Sequence, residues 1–197
     1  MSYKLLSFNN PKVLKGEKIS NYLTAIMHLN PINTKICPYQ DVAGCKEACL
    51  NTAGRGGIIK KGETTNVIQE ARKRKTKLFL EDRDTFMDYL ITDITKFVRY
   101  CSNKGKLPCI RLNGTSDIQW ETIKIDGQNI FDIFPTVQFY DYTKIIKRVY
   151  KKLPKNYHLT LSYSEANRQY ADDVMKAVCE TGTSMAVVFR DEKNIPD

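Results

Sequence analysis

Pro135-Thr-Val-Gln-Phe-Tyr140-Asp-Tyr-Thr-Lys144 opens as an apolar run and closes on polar and aromatic residues. The same design recurs on both sides of it. Upstream, Pro108-Cys-Ile-Arg-Leu112 ends at Asn113-Gly114-Thr-Ser-Asp117. Downstream, Tyr157-His-Leu-Thr-Leu161 ends at Ser162-Tyr-Ser-Glu165, and Ser184-Met-Ala-Val-Val-Phe189 ends at Arg190. Between these runs the apolar spacing changes to threes and fours. One such stretch holds Ile145, Ile146, Val149, Tyr150 and Leu153; the next holds Ala166, Tyr170, Val174 and Val178, with Ser162 or Ser164 as cap and Gly182 as stop. Strands alternating with helices imply parallel pairing through right-handed crossovers. Residues just beyond the strand ends then gather on one rim, where ligands bind. The expectation is an α/β fold of parallel βα units. A closed eight-stranded barrel needs about 250 residues, so at 197 residues a partial (β/α) barrel or an open sheet is expected.

The N-terminal half reads less regularly. Tyr3–Phe8 suggests a short strand, and Leu23-Thr-Ala-Ile-Met-His-Leu29 a second, stopped by Asn30-Pro31. From Glu63 the pattern turns helical, and Asp84 stands where it would cap a helix carrying Phe86, Leu90, Ile94, Phe97, Val98 and Cys101 on one stripe. No repeat or linker divides the chain, so residues 1–197 read as a single domain. Lys plus Arg number 31 against 22 Asp plus Glu, a net charge of +9 that favours acidic partners. No apolar run approaches the roughly 18 residues a membrane span needs. The N-terminus lacks the apolar core of a secretory signal, and a cytoplasmic protein with no membrane partner is expected.

The strongest chemical signal lies in the polar stretch from Asn33 to Gly62. Cys37-Pro-Tyr-Gln-Asp-Val-Ala-Gly-Cys45-Lys-Glu-Ala-Cys49 sets three of the six cysteines in a C-x7-C-x3-C spacing, in a loop after an early strand. Clustered thiolates suit soft or borderline metals. Zinc in a structural role wants four ligands, and the fourth would come from His28, Cys101 or Cys109. An iron–sulfur centre held by Cys37, Cys45 and Cys49 would leave one iron without a local cysteine, open to a small molecule. Three small buried residues without any metal are the remaining alternative.

A three-cysteine loop after an early strand, followed by βα units, resembles the radical S-adenosylmethionine superfamily. There a partial (β/α)6 barrel holds a 4Fe–4S cluster by three cysteines, and the open iron chelates the amino and carboxylate groups of S-adenosylmethionine. The chain also resembles a group of phage-encoded three-cysteine proteins of unassigned function. The matching residues are Cys37-Pro38, Cys45, Cys49, Gly54-Arg55, Arg111 to Asp117, and Tyr140-Asp-Tyr142-Thr143-Lys144. The resemblance implies a 4Fe–4S cluster, S-adenosylmethionine as cosubstrate, an electron donor and the cytoplasm of an infected host. It implies that Asn113, Gly114 and Ser116 receive the cosubstrate's amino group, and that Ser162, Ser164 and Glu165 receive its ribose. The superfamily's usual C-x3-C-x2-C differs from the spacing here, and its Gly-Gly-Glu strand end corresponds only to Asn113-Gly114-Thr-Ser-Asp117.

Six further residues are candidates for catalysis. Arg55, among Gly54, Gly56 and Gly57, is suited to grip a carboxylate or phosphate. Arg111 is expected to share a strand face with Cys109 and Asn113 and to need an ion partner such as Asp117. Tyr140, Tyr142 and Lys144 stand at a strand end where tuned acid–base groups would act. Two other functions compete: the cluster as a Lewis acid in a hydrolase or hydro-lyase, its small anionic ligand oriented by the arginines, or a zinc-stabilised module that binds nucleic acid or protein. The basic sets Arg72-Lys-Arg-Lys75 and Lys147-Arg148 read as solvated helix faces, with nucleic-acid contact as their functional alternative.

Overall fold

The computed structural model describes residues 4–8, 11–31, 34–46, 49–189, 191, 193 and 195. Six strands form one sheet in the order β1-β2-β3-β4-β5-β6, so sheet order follows chain order. They are β1 (Leu6–Ser7), β2 (Tyr22–Met27), β3 (Leu107–Arg111), β4 (Gln138–Thr143), β5 (Tyr157–Ser162) and β6 (Met185–Ala186). β1 runs antiparallel to β2, and β2 through β6 are parallel. The helices are α1 (Pro11–Glu17), α2 (Val67–Glu81), α3 (Arg83–Asn103), α4 (Ile130–Ile133) and α5 (Arg168–Thr181). The mixed α/β architecture expected from the alternation is present.

Strand alternation explains what each sheet face does. Ala25, Met27, Ile110, Phe139 and Leu159 are buried in a core with Phe79 of α2 and Phe86, Leu90, Ile94 and Phe97 of α3. Leu161 packs in a smaller cluster with Tyr170, Val174 and Ala177 of α5. The alternate residues Thr24, Cys109, Arg111, Tyr140, Tyr142, His158, Thr160 and Ser162 are half-buried or exposed on the other face. That face is polar and uncovered by the long helices.

Several local expectations are corrected. Asp82, not Asp84, caps α3, accepting from the Thr85 N–H at 3.1 Å; Asp84 falls inside the first turn. Asn167, not Ser162 or Ser164, caps α5 through the Tyr170 N–H at 3.2 Å. The helix expected over Ile145–Leu153 is only a 3-10 turn, Ile146–Arg148. At its start Asp117 accepts from the Lys144 N–H at 2.7 Å and the Thr143 hydroxyl oxygen from the Ile145 N–H at 3.1 Å. β4 begins at Gln138 rather than Pro135, since the Val137 N–H turns back to the Phe134 carbonyl at 3.1 Å. β6 spans two residues and leaves Val187–Phe189 outside the sheet; the Arg190 strand end lies outside the described residues.

Candidate functional site

The cysteine loop crosses the C-terminal ends of the parallel strands, where two hydrogen bonds to its backbone carbonyls fasten it. The Asp117 N–H, beyond β3, donates to the Ile36 carbonyl at 2.9 Å, and the Ser164 hydroxyl, beyond β5, donates to the Ala43 carbonyl at 2.7 Å. Ala43 is buried against the α5 cluster. Gly44 has φ +60, and a Cβ there would meet Ala166 Cβ at 2.6 Å, so only glycine lets the loop lie this close to the start of α5. Within the loop, Ala43 and Cys45 N–H groups donate to the Tyr39 and Gln40 carbonyls, at 2.9 and 3.0 Å.

The three thiols are half-buried and free of disulfides. Cys49 Sγ accepts from the Asn51 N–H at 3.5 Å, and the Cys45 thiol donates to the Gln40 carbonyl at 3.6 Å. Burial pushes the Cys37 thiol up to about 12, and the charges of Asp117, Cys45 and Cys49 add to it while Lys144 opposes. Burial also raises Cys45, against the pull of Lys144. Each thiol therefore lies in the field of another, and the Lys144 ammonium stands among them, donating to the Ser162 carbonyl and hydroxyl at 3.2 Å. The donor set suits a thiolate-held centre by kind, and the thiols lie close enough to feel each other's charge. Among the described residues no three His, Cys, Asp or Glu side chains gather as a closed metal-ligand group. A shared centre thus requires the loop to contract around it.

Behind the loop, the strand ends are tied by a buried polar network. Asp117 (4% exposed) accepts from the Thr143 hydroxyl at 2.8 Å, the Lys144 N–H at 2.7 Å and Arg148 Nη1 at 3.0 Å. Arg148, with no exposed surface, also forks onto Glu121 through Nε and Nη2 at 2.9 and 2.7 Å and donates to the Tyr157 hydroxyl at 2.9 Å. Burial pushes the Asp117 carboxyl up, while Arg148 and the donors around it pull it toward the charged form. Asn113 Oδ1 accepts from Ser116, the Ile118 N–H and the Trp120 indole at 2.9, 2.9 and 3.1 Å. Asp141 accepts from the Asn113 N–H at 2.7 Å and the Tyr157 hydroxyl at 3.0 Å, and burial pushes it up to about 7. The Gly114 N–H reaches the Met27 carbonyl at 2.9 Å, where a Cβ would collide with β2 at 2.5 Å.

The structure sorts the expected site residues into groups. Cys37, Cys45, Cys49, Lys144, Ser162 and Ser164 meet at the loop. Asn113, Gly114, Ser116 and Asp117 are engaged in the network, and Asn113 turns inward instead of sharing a face with Cys109 and Arg111. Arg111 does not pair with Asp117, which has Arg148; its guanidinium lies over the Tyr142 ring at 4.7 Å. Tyr140 and Tyr142 are on the open face beside it, and burial pushes Tyr140 up to about 12. Arg55 and Glu165 are exposed. The arginine that attends the loop is Arg72, whose Nη1 donates to the Asn51 carbonyl and Oδ1 at 2.8 and 3.0 Å.

The architecture and loop can be set beside known proteins. A family model described as Gene product 88 matches residues 4–197. The chain belongs to the Gene product 88 family. This family assignment fits the phage-type resemblance drawn from the Cys37, Arg111–Asp117 and Tyr140–Lys144 segments. No curated protein and no solved structure matches the chain. Among the described residues no helix is long and apolar enough to cross a membrane.

Proposed function

We propose that the chain holds one 4Fe–4S cluster through Cys37, Cys45 and Cys49 and is an enzyme of the radical S-adenosylmethionine type, built on a partial (β/α) barrel. The observation that carries this reading is that three free thiols share one loop fastened at the strand ends. The order of the sheet supports the barrel: parallel strands in chain order, joined by the right-handed crossovers that such connections favour, would stack their helices on one face and leave the other as a lining. When bound, the cluster would supply an electron and an open iron for a ligand with amino and carboxylate groups. Lys144 would lend positive charge to the thiolates, and Tyr140, Tyr142 and Arg111 would line the space for a small anionic substrate. An electron donor and a host-cytoplasmic setting, where thiols stay reduced, belong to the same proposal.

Anaerobic purification tests it. Iron and acid-labile sulfide are expected in the equimolar amounts a cluster of this type requires, with a brown colour, and alanine at any of the three cysteines should remove both. Zinc without sulfide would sink the cluster. S-adenosylmethionine should change the electron paramagnetic resonance of the reduced protein; an unchanged spectrum removes the cosubstrate and leaves the cluster.

A further inference from the structure

Unpaired positive charge concentrates where β2, β3 and α2 meet. Ile26 pairs with Arg111 in the parallel ladder, so His28, two residues on, continues the same open face at the end of β2. The imidazole is held against the β3 strand end, its Cδ2 2.9 Å from where a Cβ of Gly114 would stand. From the other side, Thr76 of α2 takes the Asn30 N–H at 2.7 Å. Arg72 lies one helical turn before Thr76 on the same face, which aims it at the same strand end.

The two arginines are incompletely used. Arg72 spends Nη1 on Asn51, leaving the Nε–Nη2 edge, and its Nε is buried with no hydrogen-bond partner. Arg111 Nε is also buried without a partner, while the Tyr142 ring steadies its plane. Neither forms a salt bridge among the described residues. The field of Asp141 reaches Arg111, but the Asp141 oxygens are taken by Asn113 and Tyr157. Lys75 adds a third positive charge, though its ammonium is committed to the Leu5 carbonyl at 2.7 Å, near Asp93. Burial first, then Arg72, Lys75 and Arg111, lower His28 to about 4, so the ring is neutral and able to donate one N–H. Buried guanidinium edges facing no acceptor are completed by an acceptor that arrives from outside.

We propose that Arg72, Arg111 and His28 form a subsite for the carboxylate or phosphate group of a small anionic substrate, on the open sheet face beside the cysteine loop. The subsite takes its place at the rim from the function proposed above but does not depend on the metal, since none of its three residues is a thiol. It is distinct from Arg55, which is exposed in a neighbouring turn.

Nuclear magnetic resonance titration of the full chain with inorganic phosphate, and separately with acetate, tests the subsite through the His28 ring signals. The chain has only two histidines, so assignment by a His158→Gln variant is direct. Saturable shifts of His28 are expected with at least one probe, and the tighter probe names the group as phosphate or carboxylate. Arg72→Gln and Arg111→Gln should each weaken binding about tenfold or more, the loss of one charge-assisted fork. Arg72→Lys and Arg111→Lys, which keep the charge and spare the fold, should also weaken it, and Arg55→Gln should leave it unchanged. No saturable shift with either probe, or an equal loss in Arg55→Gln, overturns the subsite. Iron and sulfide are measured on the same samples: anion binding without metal sinks only the cluster, and metal without anion binding sinks only the subsite.

Discussion

Two arginines, one closing β3 and the other just beyond β4, have opposite fates. Arg148 is wholly buried and meets Asp117, Glu121, Thr143 and Tyr157. Arg111 rests on the face of Tyr142 with a buried Nε that has no hydrogen-bond partner among the described residues. One side chain is saturated and the other is not. The lesson is that a polar residue at a strand end declares its role by its partners: closed hydrogen bonding marks scaffold, and open donors at a rim mark a place for a ligand. By that measure the Asn113–Asp117 segment is a strut between β3, β4 and β5, and the strip from His28 through Arg111 to the thiols is the surface proposed to meet a ligand.

The comparison breaks first at Arg148. Arg148→Met should lower unfolding free energy by about 3–5 kcal/mol, because it strands Asp117 and Glu121 in the interior. Arg111→Met should cost about 1 kcal/mol or less by the same denaturant titration; equal losses would erase the contrast. The next effect is a pH dependence. His28 is held near 4 when folded, below its value of 6.5 in an open chain. Between those values the unfolded chain binds the additional proton, so stability present above pH 6.5 should fall as pH drops toward 4, by on the order of 3 kcal/mol in all. His28→Gln should flatten that part of the stability–pH curve; an unchanged slope would assign it to other groups.

Asn113→Ala should cost about 2 kcal/mol in the same denaturant titration, since it leaves Ser116, the Ile118 N–H and the Trp120 indole without their shared acceptor. Arg55→Gln should stay within about 0.5 kcal/mol of the parent, which sharpens the distinction between an exposed arginine and the two semi-buried ones.

The sequence made the parallel strands legible because each is an apolar run stopped by polar residues, and it made the cysteine loop legible by spacing. It hid Arg148 inside a Lys/Arg-rich stretch that looks solvated. The clue was on the other side of the network: Asp117 and Glu121, four residues apart beside Trp120, are acids that need a buried cation. The helix expected after β4 is cut to the turn Ile146–Arg148, whose last residue is drawn into the same network. Arg72 was hidden by its neighbours. On α2, Arg72 and Lys75 turn inward while Lys73 and Arg74 face solvent, a division set by the Thr76–Asn30 contact and invisible in a run of four basic residues. The cap of α5 is Asn167 because the helix begins at Arg168, while Ser164, further upstream, fastens the cysteine loop through the Ala43 carbonyl.

That engagement has a consequence for how the protein is made. The contact joins residues 121 positions apart, and the glycine beside it rests on Ala166. A ribosome must therefore deliver the chain past Ala166 before this second fastening of the cysteine segment can form. Until then its sulfur atoms are held only from the β3 side, so the complete seat for any inorganic guest waits on the segment after β5.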